Sequence, residues 1–155
     1  WLSAGGFGSP AGAPTSAMYC GLAQAGCLQS YSNGWYYSSP ASGSHLVPNA
    51  LLNAWSAAGS ERGVFGYPLG APVGVTGGTV QSFQGGVGVV SSAGAGQFVA
   101  GAIGSAWLSA GGFGSPAGAP TSAMVCSGAG TSCTQQFTSG SYTWTRTEGT
   151  SFKPR

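Results

Sequence analysis

Residues Trp1–Met18 read WLSAGGFGSPAGAPTSAM, and the same string returns at Trp107–Met124. A related phrase begins between them at Trp55 and runs on to Ala71-Pro72. Self-similarity with a period of roughly 50 residues is the signature of repeat proteins. The sequence therefore predicts three tandem units, which are residues 1–54, 55–106 and 107–155.

The three phrases share the pattern Phe-Gly-x-Pro, and when their Phe residues are matched the middle phrase has four extra residues before the Phe. A unit of this size cannot bury its own aromatic side chains, so neighbouring units must pack together. We expect one domain over residues 1–155, packed as a closed or ring-like body and forming part of a longer protein or array. The expected inter-unit core consists of Trp1, Trp55, Trp107, Phe7, Phe65 and Phe113.

Each unit also has a predictable local structure. The segment Gln29–Tyr37 is rich in aromatic residues around Asn33-Gly34, a strong signal for a two-residue hairpin turn. The stretch Pro48–Gly59 starts with Pro, places Leu51 and Trp55 on one face and stops at Gly, which predicts a short helix. The sequence thus predicts a β-rich α+β fold with one hairpin and one short helix per unit.

The four cysteines lie at matching positions in the first and third units. Pairing within units is the connectivity that respects the repeat and explains why the middle unit lacks both partners. A zinc site is the competing interpretation, but the spacing is wider than usual and no His lies near either pair. We therefore expect the disulfides Cys20–Cys27 and Cys126–Cys133, and hence an extracytoplasmic protein.

The composition excludes several classes of partner. Charged residues make up 4% of the chain and the formal net charge is +2, so no basic stripe could follow a phosphate backbone. No apolar run reaches the length that a membrane-spanning helix needs. The 30 Gly residues and the many Ser and Gln side chains give a neutral, hydroxyl-rich surface. We expect neither nucleic acid nor membrane as a partner.

The sequence also lacks the combinations of residues that common catalytic mechanisms need. General acid–base chemistry needs paired carboxylates, whereas the chain has no Asp and two Glu residues in unrelated contexts. The single His, His45, corresponds to Gln97 and Ser151 in the other units, so we interpret it as a polar loop residue. No complete nucleotide-binding motif occurs. The expectation is a protein that is not an enzyme and has no cofactor or metal.

The phrase Phe65–Pro72, followed by Gln81–Gly86 and by Val99–Ile103 before Trp107, resembles the LGFP repeat. The resemblance spans essentially the whole chain, although Leu is absent from the phrases at Phe7 and Phe113. It implies a secreted protein of actinobacteria, held at the cell wall or cell surface. It also implies binding to arabinogalactan or another wall glycan, in an array fused to a catalytic domain such as a wall hydrolase or mycolyltransferase.

A neutral surface with exposed aromatic residues suits sugars independently of that resemblance. Aromatic rings stack against the apolar face of a sugar ring, and amide groups form hydrogen bonds with its hydroxyls. The aromatic residues outside the expected core cluster in the hairpins of the first and third units. The predicted glycan-binding residues are Trp35, Tyr36, Tyr142 and Trp144 as ring platforms, with Gln84, Asn33 and Gln29 as polar partners.

Two alternatives differ from a glycan-binding module. In the first, the chain is a structural surface protein whose Gly-rich strand edges pair with copies of itself. In the second, it is an accessory domain that only positions a fused hydrolase or mycolyltransferase domain.

Overall fold

The computed structural model describes residues 2–155, with the side chain of Ala4 excepted, so the core position predicted for Trp1 lies outside the described residues. It contains three antiparallel sheets of four strands and two α-helices. The first sheet consists of β1 (Tyr19–Leu22), β2 (Gly26–Tyr31), β3 (Gly34–Ser39) and β4 (Gly43–Pro48). The second consists of β5 (Val73–Val75), β6 (Gly78–Phe83), β7 (Gly86–Ser91) and β8 (Gly96–Val99), and the third of β9 (Val125–Cys126), β10 (Ser132–Phe137), β11 (Gly140–Thr145) and β12 (Gly149–Pro154).

Each sheet is a meander in which every strand pairs with the next one along the chain. The hairpin predicted at Asn33-Gly34 joins β2 to β3, and the equivalent hairpins join β6 to β7 and β10 to β11. The sequence predicted one hairpin per unit, whereas the structure adds a strand on either side of it. These outer strands contain much Gly and Ser, so they lack the alternation of apolar residues that marks a strand in the sequence.

The two helices, α1 (Asn49–Ala57) and α2 (Gly101–Ser109), follow the last strand of the first and second sheets. In α1 the side chains of Leu51 and Trp55 are buried at i and i+4, and in α2 Ile103 and Trp107 repeat this arrangement. The extended conformation of Pro48 precedes α1, and Gly59 adopts a left-handed conformation (φ 95°) just after it. The helix predicted after Pro48 and its counterpart before Trp107 are therefore confirmed, whereas three repeats with one helix each are not, because the described residues contain two α-helices.

Sheets and helices alternate along the chain. Helix α1 packs on the first sheet through Tyr37 and Val47 and on the second sheet through Phe83 and Phe98. Helix α2 makes the same kind of contact between the second and third sheets. We call these two regions the first boundary and the second boundary. None of the three sheets is closed, so the predicted ring-like closure is not confirmed.

The register of the repeat differs from the prediction. The indole N–H of Trp55 donates to the carbonyl of Gly66 (3.2 Å), and that of Trp107 donates to Gly118 (2.8 Å), with 11 residues between partners in both cases. The structure therefore matches Phe65 with Ala117, not with Phe113, and the predicted four-residue insertion is wrong. The middle unit differs instead by a turn before its second strand that is two residues shorter.

This register corrects the predicted core. Trp55, Trp107 and Phe65 are buried as expected, whereas Phe7 is 76% exposed and Phe113 is only partly buried. Phe7 and Phe113 lie in short 3-10 turns, Gly6–Gly8 and Gly112–Gly114, at the position where the second unit has Ser60–Arg62. The shared letters Phe-Gly therefore mark two different structural positions.

Across the part of the chain that the structure describes, neither helix has the length and apolar character required to cross a membrane.

Candidate functional site

A buried Gln joins neighbouring sheets at both boundaries. The side-chain amide of Gln81, 1% exposed, donates to the carbonyl of Leu46 in the first sheet (2.7 Å) and to that of Gly70 (2.9 Å). Gln135, 0% exposed, repeats both bonds with Phe98 (2.8 Å) and Ser122 (2.9 Å). These bonds fix the distance between sheets, because they satisfy backbone carbonyls that no strand partner reaches.

Gln29 is the equivalent residue in the first sheet, and its environment differs. Its amide donates to the carbonyl of Ser16 (2.9 Å), and its oxygen accepts a hydrogen bond from the Tyr31 hydroxyl (3.0 Å). In the other two sheets a Phe stands where the first has Tyr31, and the buried amide oxygens of Gln81 and Gln135 have no partner among the described residues. Gln29, predicted to bind glycan, thus occupies a position whose main role is structural.

A cleft opens at the first boundary, where the junction of β4 and α1 faces the Pro-containing loop of the second unit. It has a volume of about 490 Å³, within the range of small-ligand sites. One side is formed by the ring of Tyr36 with Asn33 and His45, and the other by Pro72 and Thr79. Two of the predicted glycan-binding residues, Tyr36 and Asn33, therefore lie together in one cleft.

A second cleft, of about 250 Å³, occupies the equivalent place at the second boundary. One wall is formed by Met124, Cys133 and Trp144. The equivalent residues at the first boundary are, in the same order, Pro72, Thr79 and Val90. The N-terminal residues of α2 form the opposite wall. Trp144, a predicted ring platform, therefore lines the second cleft. This cleft is smaller than the first because larger side chains fill it.

Strand geometry explains why Tyr36 is available as a platform. Along β3, alternate side chains point to opposite faces, so Tyr36 lies on one face and Trp35 and Tyr37 on the other. The edge of the Tyr36 ring contacts Tyr31 (5.4 Å between centroids). Tyr36 also lines an open groove of about 620 Å³ that includes Gln29 and Met18. One ring thus borders both concave surfaces of the first sheet.

Three other predicted residues lie outside the two clefts. Trp35 is 37% exposed and stacks on Tyr37 (6.3 Å between centroids). Gln84 is exposed, and its side-chain oxygen accepts a hydrogen bond from the backbone N–H of Tyr67 (2.9 Å). The predicted role of Tyr142 as a ring platform is wrong. Its side chain is 6% exposed and packs against Phe137 (5.2 Å between centroids) over α2, so it cannot present its ring to a sugar.

The two predicted disulfides, Cys20–Cys27 and Cys126–Cys133, are confirmed, and the zinc interpretation is wrong. Each joins paired residues on the first two strands of its sheet. The loop between Cys20 and Cys27 reaches the second unit, because the Tyr67 hydroxyl donates to the carbonyl of Ala23 (2.6 Å). At the second boundary the shorter turn Gly77-Gly78 takes this place, and the ring of Phe113 lies against it.

The first boundary also contains an unusual group of ionisable side chains. Glu61 is 9% exposed in its side chain and lies next to Arg62, with 3.6 Å between a carboxylate oxygen and the guanidinium Nε. Burial above all, together with the charge of Glu61 and the nearby Tyr67, raises the pKa of Tyr37 to about 12. Burial, followed by Glu61, also raises the pKa of Tyr67. Both phenols therefore stay protonated at neutral pH, and that of Tyr67 donates to the carbonyl of Ala23.

His45 is a cleft residue that sequence reasoning assigned to a loop. It lies in β4, a ring nitrogen is 2.7 Å from the carbonyl of Ser42, and the ring lines the first cleft beside Tyr36. No signal in the sequence could have found it, because the cleft exists only where two units meet.

The LGFP repeat family matches residues 12–63 and 65–114, about two thirds of the chain. The two matched segments start 53 residues apart (65 − 12), close to the 52 residues (107 − 55) that separate the two Trp–Gly hydrogen bonds. A comparison with curated proteins found no significant match. The chain is a repeat module, and it belongs to the LGFP repeat family.

Proposed function

We propose that this chain is a non-catalytic module that binds cell-wall polysaccharide, of the arabinogalactan or peptidoglycan type, through the clefts between its sheets. The observation that carries the proposal is the first cleft, where the Tyr36 ring lies beside the side chains of Asn33 and His45. An aromatic wall with adjacent amide and imidazole groups offers a stacking surface and hydrogen-bond partners to a sugar ring. Any catalytic activity belongs to a domain fused to the module.

The repeated boundaries favour an array of weak sites. The second cleft places Trp144 where the first has Val90, so each boundary supplies one aromatic ring, from different strands of the fold. Sites joined by a rigid scaffold bind a polymer more tightly than one site alone, because the second contact forms within the same complex. A wall polysaccharide, which repeats its sugars, is the ligand suited to such an array.

The disulfides and the family support an extracellular location. Disulfides persist in oxidising compartments, and the two in this chain, together with the LGFP match, indicate an extracellular protein. We place it more specifically at the cell wall or cell surface of an actinobacterium.

A self-assembling structural protein is the second candidate, and one observation favours it. The first strand of each sheet lies at an edge and carries exposed apolar side chains, namely Tyr19, Val73, Val75 and Val125. Unprotected apolar edges of this kind can pair with the edge of another chain. Polymers that form without glycan as the protein concentration rises would support this candidate.

Retention on insoluble cell wall tests the proposed function. The folded protein is incubated with wall before and after arabinogalactan is removed, beside the variant Trp144→Ala and an unrelated protein of similar charge. We expect retention on intact wall that falls on stripping and falls in the variant, because an aromatic platform is lost. Equal retention of the unrelated protein, or no retention at all, would contradict the proposal.

A further inference from the structure

A polar cleft of about 500 Å³ lies at the first boundary, away from Tyr36. The loop of the first disulfide contributes Gln24, the 3-10 turn of the second unit contributes Glu61 and Arg62, and the next hairpin contributes Gln84. The remaining lining is mostly small residues and backbone: Ala23, Gly63, Val64, Gly66 and Gly85. Charged and amide groups thus converge here in a chain that has few charges.

The carboxylate of Glu61 lines this cleft and is mostly buried. Its side chain is only 9% exposed, and its one partner within the described residues is the Arg62 guanidinium, at a distance of 3.6 Å. That separation exceeds the length of a hydrogen bond, so the contact is electrostatic. A mostly buried carboxylate is stable when donors surround it. Glu61 therefore has acceptor capacity directed at the cleft.

Donors in the same cleft are also partly unused. The side-chain oxygen of Gln84 is committed to the backbone of Tyr67, while its amide nitrogen makes a long 3.4 Å contact with Gln24. The side chain of Arg62 is 71% exposed. The cleft consequently presents one strong acceptor and several donors within a small volume.

The backbone around this cleft is strained. Three described residues other than glycine have a positive φ, and they are Gln24 (55°), Ala25 (56°) and Ser60 (53°). Two of them form the tip of the disulfide loop, and the third directly precedes Glu61. Gly6 and Gly112 stand at the position of Ser60 in the other units, where such a conformation costs little. Strain of this kind is often retained at ligand sites.

At the equivalent place of the second boundary the side chains are apolar. Phe113 occupies the position of Glu61, and its ring lies against Gly77 and Gly78 in the shortened turn. The second boundary is therefore closed by apolar packing where the first boundary is open and polar. The difference depends on one substitution and on the presence of the disulfide loop.

We propose that the cleft of Gln24, Glu61, Arg62 and Gln84 is a second binding site, which takes a neutral saccharide through a pair of adjacent hydroxyl groups. The two hydroxyls donate to the Glu61 carboxylate and accept hydrogen bonds from the Arg62 guanidinium and the Gln84 amide. A uronic acid is disfavoured by the charge of Glu61, and an amino sugar by that of Arg62. This inference rests on the proposed function and adds to it the sugar class and a second contact.

Titration of the whole protein with methyl α-D-mannopyranoside, followed by ¹H–¹⁵N NMR, tests this site. We expect shifts in the side-chain amides of Gln24 and Gln84 and in the backbone amides of Gly63 and Gly85. The 2,3-di-O-methyl ether of the same sugar should cause no such shifts, because its remaining hydroxyls, at C4 and C6, do not lie on adjacent carbons. In the near-isosteric variant Glu61→Gln we expect affinity at this site to fall by at least about fivefold.

The side-chain amide of Gln135, at the second boundary, reports whether Glu61→Gln keeps its fold. Shifts that are equal for the mannoside and its ether, or that survive Glu61→Gln unchanged, would overturn the second site. Shifts at Tyr36 and Asn33 without shifts at Gln24 and Gln84 would overturn it as well, yet leave the proposed function standing. No shifts at either cleft, together with no retention on intact wall, would refute both.

Discussion

The two boundaries of this molecule share their hydrogen bonds and differ in the side chains that fill them. At each, a Trp indole donates to a Gly carbonyl and a buried Gln donates to the preceding sheet. At the first boundary Tyr67, Glu61 and the disulfide loop leave two clefts open. At the second, Phe113 and Trp144 narrow one cleft and close the other.

This comparison separates the scaffold from the candidate binding surface. Buried backbone carbonyls must be satisfied in every unit, so the residues that reach them recur. The cleft-lining positions carry no such requirement and vary freely between Val90 and Trp144, or between Glu61 and Phe113. Recurring residues therefore define how the sheets stack, and variable residues define what each boundary can bind.

Removing the bridging Gln residues should have the largest effect. We expect Gln81→Ala and Gln135→Ala to lower the free energy of unfolding by about 2–4 kcal/mol each, because two carbonyls lose a donor and a cavity forms. Gln29→Ala, at a half-buried position, should cost only about 1 kcal/mol. Urea denaturation of the three variants measures this, and equal losses at all three sites would show that Gln29 bridges as the others do.

Alkaline pH should weaken the first boundary more than the second. The pKa of Tyr37 is raised from 10.0 to about 12, so the folded state keeps a proton that the unfolded state loses. This contribution, about 2–3 kcal/mol, is fully present below pH 10.0 and is lost as the pH rises to about 12. Tyr37→Phe is the control, because it removes the hydroxyl that ionises. The second sheet has Val89 at this position, which cannot ionise. An unchanged slope of stability against pH in the variant would contradict this assignment.

The contact between Phe113 and the short turn can be tested by adding a methyl group. A Cβ at Gly77, where φ is +97°, would lie 2.7 Å from the Phe113 Cβ. At Gly94, where φ is +86°, a Cβ would meet nothing within 4 Å. We expect Gly77→Ala to cost about 2 kcal/mol and Gly94→Ala about 1 kcal/mol, the latter from backbone strain alone. Equal unfolding free energies for the two variants would show that Phe113 does not pack on this turn.

The smallest expected effect is a gain in stability. In the first sheet the Tyr31 hydroxyl donates to the side-chain oxygen of Gln29. In the second sheet the equivalent residue is Phe83, and the buried side-chain oxygen of Gln81 has no partner among the described residues. Phe83→Tyr should supply the missing hydroxyl and stabilise the second sheet by about 1 kcal/mol. Thermal unfolding compares it with the same change at Phe137. A loss of stability in both variants would mean that the sheets cannot accommodate the hydroxyl.

Local signals explain what the sequence could predict. The helices were found because Pro48, Leu51 and Trp55 combine a start signal with apolar spacing. The hairpin was found because Asn33-Gly34 is a turn signal, although the turn itself is Ser32-Asn33 and Gly34 already pairs with Tyr31. The disulfides followed from the repeat itself. Each of these features depends on residues close together in the chain.

The register and the clefts depend on contacts between units. The shared letters Phe-Gly suggested that Phe113 corresponds to Phe65. The true register is set by the Gly carbonyl to which each Trp indole donates, and the sequence alone does not reveal this hydrogen bond. Tyr142 and Trp144 lie on the same face of β11, and only their distance from α2 decides which is buried and which lines a cleft. Sequence patterns give the face of a strand, not its neighbours.

Two adjacent residues of β3 distinguish binding at the first cleft from binding elsewhere on the first sheet. Tyr36 borders the first cleft, and Trp35 lies on the opposite face of the same strand. The affinity of Tyr36→Ala and Trp35→Ala for solubilised wall arabinogalactan is measured by titration calorimetry. Our account predicts that Tyr36→Ala weakens binding by about tenfold, the loss of one stacking ring, while Trp35→Ala leaves it unchanged. Loss of affinity in Trp35→Ala with none in Tyr36→Ala would contradict the account.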